Sequence, residues 1–185
     1  MSGSIKTQGI PVTDSPNNDA FEAIVEVYYQ VRGYITSAGK WFWVWEDEKK
    51  QRGYQDIDVL AVSGDETIII SATSNLDDRV NTKSGRANDE MLNKLKEHFN
   101  RFKQYLNRVD QYRWMVHEKR TVCPIVVYNH AFPNTLVLIQ KTLLDAGIEV
   151  VSSKEILKAL SEHAGQPNLR IQNQLLRTIQ LLGSK

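Results

Sequence analysis

The sequence has little of what defines several protein classes. It contains one cysteine, Cys123, in 185 residues, which excludes an internal disulfide and a zinc cluster built on thiolates. Its longest apolar runs reach about five to seven residues, whereas about 20 are needed to cross a bilayer. It has ten glycines and five prolines, too few for a collagen-like chain. With no secretory signal visible either, we expect a soluble, cytoplasmic protein without a membrane partner.

The composition predicts one folded domain. Hydrophobic residues make up 41% of the chain and charged residues 24%, as in an ordinary globular protein. Residues 1–14 show no apolar period and predict a flexible N-terminal arm, so that residues 15–185 form the domain. The four histidines include no pair at metal-ligand spacing, and we interpret each, His98 included, as a surface or capping residue.

The hydrophobic pattern predicts an α/β fold. A helix ends near Gly33, and three strands follow at about 41–46, 56–62 and 67–74, with turns expected at the turn-rich stretches around 37–39, 51–53 and 63–65. After a loop over 75–87, a long helix begins at Asn88 or Asp89 and ends near Val109. Its expected core positions are Leu92, Leu95, Phe99, Phe102, Leu106 and Val109. The remaining pattern predicts two strands, at 121–128 and 148–151, and three helices. The first helix covers about 134–146 and the last covers 169–182. The helix between them begins at 152 or 153, and its inner face holds Ile156, Leu157 and Leu160.

This order predicts a mixed central sheet flanked by helices, with a C-terminal helix. The short link after the second strand is of hairpin length, so the second and third strands should run antiparallel. The later strands are separated by helices, and they should therefore run parallel.

Charge is unevenly distributed along the chain. Residues 1–78 carry a net charge of −7, whereas residues 79–120 hold 11 basic and 5 acidic side chains, a net charge of +6. Such a density favours contact with a phosphate backbone, although a solvated helix face produces the same pattern. The basic residues that we expect to bind nucleic acid are Arg79, Lys83, Arg86, Lys94, Arg101 and Arg108.

The segment Trp-Phe-Trp-Val-Trp at 41–45 alternates aromatic and apolar side chains. As a strand it would place Trp41, Trp43 and Trp45 on one face and Phe42 and Val44 on the other. A stacking platform for unpaired bases is one interpretation. We favour the other, a central strand covered by helices on both faces.

Asp58 lies inside the apolar second strand. With a period of two, it shares one face with Asp56, Leu60 and Val62, opposite Ile57, Val59 and Ala61. A carboxylate in such a place needs a cation, a proton or hydrogen-bond donors, so metal coordination and a structural hydrogen bond are both open. Glu22 and Glu26, four residues apart, share one face of the first helix.

Together these segments resemble the PD-(D/E)XK nuclease-like superfamily, in particular its Mrr-like and archaeal Holliday-junction-resolvase-like branches. The resemblance covers about residues 19–162: the acidic first helix, Asp-Ile-Asp-Val-Leu-Ala-Val, the hairpin into Ser-Ala-Thr-Ser, and Leu-Leu-Asp-Ala-Gly-Ile-Glu-Val-Val-Ser-Ser-Lys-Glu-Ile-Leu. It implies a restriction-endonuclease-like αβββαβ core. It also implies that Asp58 and Glu22, or Glu26 in its place, hold Mg²⁺ or Mn²⁺ if the protein is active.

The chain departs from that family at its third motif. Where the family has Asp or Glu, any residue, and Lys, this sequence reads Ser71-Ala72-Thr73. Neutral hydroxyls replace neither charge, so the resemblance implies an impaired or inactive site. A relocated lysine, Lys83 or Lys94, would restore catalysis, and Asp77 or Asp78 would lend a carboxylate.

Three functions follow as expectations. The favoured one is a catalytically impaired protein that binds nucleic acid, with DNA favoured over RNA. The second is an active endonuclease dependent on Mg²⁺ or Mn²⁺. The third is a scaffold subunit that forms a homodimer through the helix 169–182, whose apolar stripe holds Leu175, Leu176, Ile179 and Leu182.

Overall fold

The structure is a computed structural model that describes residues 20–46, 50–80, 88–166 and 173–183. The arm expected over residues 1–14 lies outside these ranges. The helices and strands follow in chain order as α1 Ala20–Val31, β1 Ile35–Trp45, β2 Gln51–Ser63, β3 Glu66–Asn75, α2 Leu76–Val80, α3 Asp89–Arg108, β4 Thr121–His130, α4 Pro133–Asp145, β5 Glu149–Ser152, α5 Ser153–Ala164 and α6 Gln174–Gly183.

The five strands form one mixed sheet in the order β1-β2-β3-β4-β5. β1 and β2 are antiparallel, as are β2 and β3, whereas β3, β4 and β5 run parallel. The expected hairpin and the parallel later strands are therefore confirmed. So is the α/β class with helices on both sides of the sheet.

Each face of the sheet carries its own hydrophobic cluster. On one face, α3 and α4 pack with residues such as Phe99, Phe102 and Ile139. On the other face, α1, α5 and α6 contribute residues such as Val25 and Ile156. The sheet is thus covered by helices over most of both faces. Among the described residues, no helix is long and apolar enough to cross a membrane.

Local signals fix the ends of the long elements. The Asn88 side chain accepts hydrogen bonds from the backbone of Glu90 and Met91 at the start of α3, and Ser152 and Glu155 form a capping box at the start of α5. Gly147, just beyond α4, has a φ of 74°, a conformation that favours glycine.

Several expected boundaries are wrong. The turns expected near residues 37–39 and 51–53 lie inside β1 and β2, because Gly39 and Gly53 adopt positive φ angles within the strands. The loop expected over 75–87 contains the short helix α2, and α6 begins at Gln174 instead of residue 169.

Two surfaces also differ from expectation. β1 is an edge strand, so the interpretation of Trp41–Trp45 as a covered central strand is wrong. Leu157, expected on the inner face of α5, is 40% exposed.

The expected dimer stripe on α6 is largely covered. Leu176 is buried and Leu175 and Ile179 pack against the same cluster, whereas Leu182 is 74% exposed.

Candidate functional site

β2 and β3 separate partway along the sheet. Their pairing runs from Ser63 and Glu66 only as far as Val59 and Ile70. Beyond that point β2 stays paired with β1 as far as Gln51, and β3 stays paired with β4 as far as Asn75. The sheet therefore forks, and backbone groups of β3 that would have bonded to β2 need other partners.

Asp58 lies at this fork. Its Oδ2 accepts a hydrogen bond from the backbone N–H of Ala72 at 2.6 Å, in place of a backbone acceptor from β2. Burial raises the pKa of the Asp58 carboxyl above its usual range. The Ala72 N–H, the Ser71 hydroxyl and Arg79 act in the opposite direction, and Asp56 adds to the rise. The structural hydrogen bond considered from the sequence is therefore present.

The alternation of faces changes at Asp58. Leu60 and Val62 pack on the α3 side, but so does Ile57, whereas Val59 packs on the α1 side. The expected grouping of Ile57 with Val59 and Ala61 is thus wrong. The change coincides with a gap in the pairing of β1 and β2, because Asp58 and Gly39, whose φ is 58°, both fall between paired positions.

Arg79 brings a positive charge to the fork. It projects from α2, and its Nη2 donates a hydrogen bond to the Ser71 Oγ at 2.9 Å. Its Nε is buried and has no hydrogen-bond partner in the described part of the chain. Ser71 is itself buried, and Thr73 donates to the Asn75 carbonyl at 3.0 Å.

Two adjoining cavities open from the fork, and we call them together the β2/β3 cleft. The smaller, about 260 Å³, is lined by Asp58, Asp56, Ser71, Ala72 and three further residues. The larger, about 460 Å³, lies along α3. The two cavities share Gln55, Arg79 and His98, and the buried Gln55 Oε1 has no hydrogen-bond partner among the described residues.

His98 is a neutral member of this cleft. Burial lowers the pKa of its imidazole to about 4, and the positive charges of Arg79 and Arg101 act in the same direction, against Asp56. The expectation that His98 is a surface or capping residue is therefore wrong, because its ring packs beside Phe42 and Phe99.

Basic residues continue along α3 from the larger cavity. Lys94 and Arg101 line that cavity, and Arg108 lies over the ring of Trp45 at 5.0 Å from its centroid. They are spaced seven residues apart, so they share one side of the helix. Lys94 pairs with Glu90 at 2.7 Å and Arg101 with Glu97 at 2.5 Å, both within the helix.

The other expected site residues are less closely grouped. Glu22 lies on α1, whose buried residues pack on the opposite face from α3, and it lines neither cavity of the cleft. Its neighbour Glu26 accepts a hydrogen bond from Thr36 at 2.9 Å. Lys83 and Arg86 lie outside the described residues.

The two aspartates expected to lend a carboxylate have different positions. Asp77 is buried and accepts hydrogen bonds from the Phe132 N–H and the Thr135 hydroxyl at the start of α4. Asp78 is exposed and accepts from the Asn75 side chain at 2.9 Å. Asp77 is therefore a structural residue, and neither aspartate lines the β2/β3 cleft.

The cation beside Asp58 is thus Arg79 and not Lys94. Lys94 makes its exposed pair with Glu90 and does not line the smaller cavity. Arg79 was expected only as one of the basic residues that bind nucleic acid, because the segment that forms α2 was expected to be a loop. Gln55 and His98 carried no sequence signal beyond the spacing of His98 from Lys94 and Arg101 on one helix.

The donors around Asp58 fit a divalent ion poorly. No cluster of three or more His, Cys, Asp or Glu side chains that could hold a metal ion occurs in residues 20–46, 50–80, 88–166 and 173–183. One Asp58 oxygen is occupied by the Ala72 N–H. The Arg79 guanidinium, bonded to Ser71, also places a positive charge next to that carboxylate.

Comparison with known proteins identifies no family. No family model and no curated protein matches this chain. A crystal structure titled as a protein of unknown function, AF1548, is similar at 18% sequence identity and a TM-score of 0.45, over 88% of this chain and 78% of that one. A likeness this distant indicates neither a family nor an activity.

Proposed function

We propose that this protein is a cytoplasmic nucleic-acid-binding protein whose nuclease-like site is catalytically impaired. The observation that carries the proposal is the larger cavity of the β2/β3 cleft. Three cationic side chains, Arg79, Lys94 and Arg101, line it together with a single carboxylate, Glu97. A concave surface with this excess of positive charge suits a phosphate backbone.

The existing ion pairs on α3 do not oppose this use. Both join residues four apart on the solvent side of the helix, and such pairs contribute about 0 to 1 kcal/mol. A phosphate can therefore displace Glu90 or Glu97 at little cost. Arg79 offers a buried N–H that still lacks a partner among the described residues, and satisfying it would favour an anion further.

The chemistry of the fork supports impaired catalysis. The guanidinium group of Arg79 has no acceptor atom, so it stabilises negative charge but cannot take a proton from an attacking water. Ser71 and Thr73 are committed to Arg79 and to the Asn75 carbonyl. The resemblance to nucleases therefore supports the binding surface more than it supports hydrolysis, and DNA remains favoured over RNA.

The test of binding is the salt dependence of affinity. The triple variant Lys94→Glu, Arg101→Glu, Arg108→Glu should lose about three phosphate contacts, which lowers the slope of log affinity against log salt by about 2 for a single strand. The matched control reverses Lys141, Lys154 and Lys158, three exposed lysines on α4 and α5, and should bind as the parent does. Equal affinities and slopes for both variants would exclude the α3 surface.

A cleavage assay tests the alternative of an active endonuclease. Plasmid, single-stranded DNA and RNA are incubated with Mn²⁺ or with a chelator. We expect no cleavage above that of an Asp58→Ala variant. Metal-dependent cleavage by the parent that Asp58→Ala abolishes would instead establish the endonuclease. The homodimer stays a prediction for sedimentation analysis, although most of the stripe on α6 packs against the core.

A further inference from the structure

An exposed aromatic pair lies on the β1–β2 hairpin. Trp41 is 39% exposed and Tyr54 is 63% exposed. Their rings meet edge to face, with centroids 5.1 Å apart, and Trp43 contacts Tyr54 in the same manner at 6.0 Å. Trp41 and Tyr54 belong to neither hydrophobic cluster of the described chain.

Folding alone does not account for this pair. Its strand neighbour Phe42 is buried against α3, as an apolar side chain of a sheet usually is. Trp41 and Tyr54 project from the other face of the hairpin and pack against each other. Adjacent exposed aromatic rings on a sheet are typical of a binding surface. An edge-to-face pair also leaves ring faces open to a further stacking partner.

The pair adjoins the β2/β3 cleft. Trp41 is the cross-strand partner of Asp56, which lines the smaller cavity. Tyr54 directly precedes Gln55, whose side chain lines both cavities from the opposite face of β2. The open rings therefore lie next to the smaller cavity, on the face of the hairpin away from the basic wall of the cleft, which Arg79, Lys94 and Arg101 form. A strand with phosphates on that wall would reach the rings by crossing the fork beside Arg79, which lines both cavities.

We propose that Trp41 and Tyr54 stack on unpaired bases of a single-stranded nucleic acid whose phosphates follow the basic wall of the cleft. This inference rests on the proposed function and names its ligand class. Bases in a duplex are stacked on one another, whereas unpaired bases present their faces to aromatic side chains. The occupant is thus a single strand, with little preference for base identity.

The test separates bases from phosphates. Affinities are measured by fluorescence anisotropy for three probes of about 20 nucleotides, the length of a few such sites: a thymine single strand, an abasic strand with the same number of phosphates, and a duplex. Matched RNA and DNA single strands show which of the two nucleic acids the protein binds more tightly. We expect the parent to bind the thymine strand roughly tenfold or more tightly than the abasic strand.

The double variant Trp41→Ala, Tyr54→Ala should lose the preference for the thymine strand over the abasic strand. Its affinity for the abasic strand should stay unchanged, and this unchanged affinity also shows that the cleft is folded. The matched control is Trp114→Ala. Trp114 is 51% exposed and packs with Arg120, which bonds to the carbonyl of Gly64 at the far end of β2. This control should keep the preference. The milder Tyr54→Ala should reduce it in part.

The outcomes distinguish the two proposals. If the parent binds none of the probes in a salt-dependent way, the proposed function fails and this inference fails with it. If the parent binds all three probes equally, or if both aromatic variants keep the preference for thymine, stacking is refuted and phosphate binding stands. Loss of all binding by both aromatic variants would also count against stacking, because a stacking residue should spare the abasic strand.

Discussion

His98 gives the sharpest test of the geometry of the cleft. Its imidazole is predominantly neutral because burial and two nearby arginines lower its pKa to about 4 from an ordinary value of 6.5. As the pH falls from 6.5, the unfolded chain takes up this proton first. Stability conferred by neutral His98 is therefore fully present above pH 6.5 and is lost progressively towards pH 4.

The magnitude follows from the shift. One pKa unit corresponds to about 1.4 kcal/mol, so the shift at His98 amounts to about 3 kcal/mol, fully lost only below pH 4. For a chain of this length each kcal/mol moves the melting temperature by roughly 2 to 4 °C. The variant His98→Leu cannot take up a proton. We expect its melting temperature, relative to the parent, to rise by about 6 to 12 °C between pH 7 and pH 4.

The assay is thermal unfolding followed by circular dichroism across that pH range. Asp58 contributes with the opposite sign, because its raised pKa favours the folded state as the pH falls, but it is present in both proteins and cancels in the difference. The variant Arg79→Met should raise the pKa of His98, which an NMR titration of the ring protons would detect. A difference in melting temperature that does not change with pH would refute the placement of His98 in the cleft.

Two further predictions concern carboxylates that accept backbone hydrogen bonds. Asp58→Ala leaves the Ala72 N–H without its acceptor and should lower the free energy of unfolding by about 1 to 3 kcal/mol. Asp58→Asn keeps an acceptor, so its free energy of unfolding should fall by less. Equal values for the two variants in urea denaturation would contradict the hydrogen bond at the fork. Asp77→Ala removes the acceptor of the Phe132 N–H and the Thr135 hydroxyl, and in the same assay it should lower the free energy of unfolding by about 1 to 3 kcal/mol. The control is Asp78→Ala at the exposed neighbouring position, which should lower it by less than about 0.5 kcal/mol.

Sequence patterns predicted the elements whose signals are local. α3 begins after Asn88, as expected, because that side chain caps the helix. All but the last of its expected core positions are buried, and Val109 packs partly against the same cluster. The hairpin between β2 and β3 is also confirmed, and only Gly64 and Asp65 separate the two strands, a length that permits few other arrangements.

Patterns failed where distant contacts determine the local backbone. Gly39 and Gly53 were interpreted as turn residues, but pairing along the hairpin keeps both inside strands, with positive φ angles that glycine permits. The faces of β2 also change at Asp58, which a strict period of two cannot predict. The edge position of β1 depends on strand order, and local sequence does not encode that order.

The candidate site was predicted in part. Asp58 was recognised because a carboxylate within an apolar strand is unusual, and the basic face of α3 was visible from charge alone. The position of Arg79 beside Ser71 depends on α2, a helix of five residues too short to leave a periodic signal. His98 was missed because its environment comes from packing against β1 and from the distant Arg79.

The most direct measurement of the central claim is the affinity of the parent protein for a single-stranded oligonucleotide as the salt concentration is raised. We expect a linear decrease of log affinity with log salt, and a slope that is smaller by about 2 when the charges of Lys94, Arg101 and Arg108 are reversed together. No measurable binding at low salt, or a slope that the three reversals leave unchanged, would contradict it.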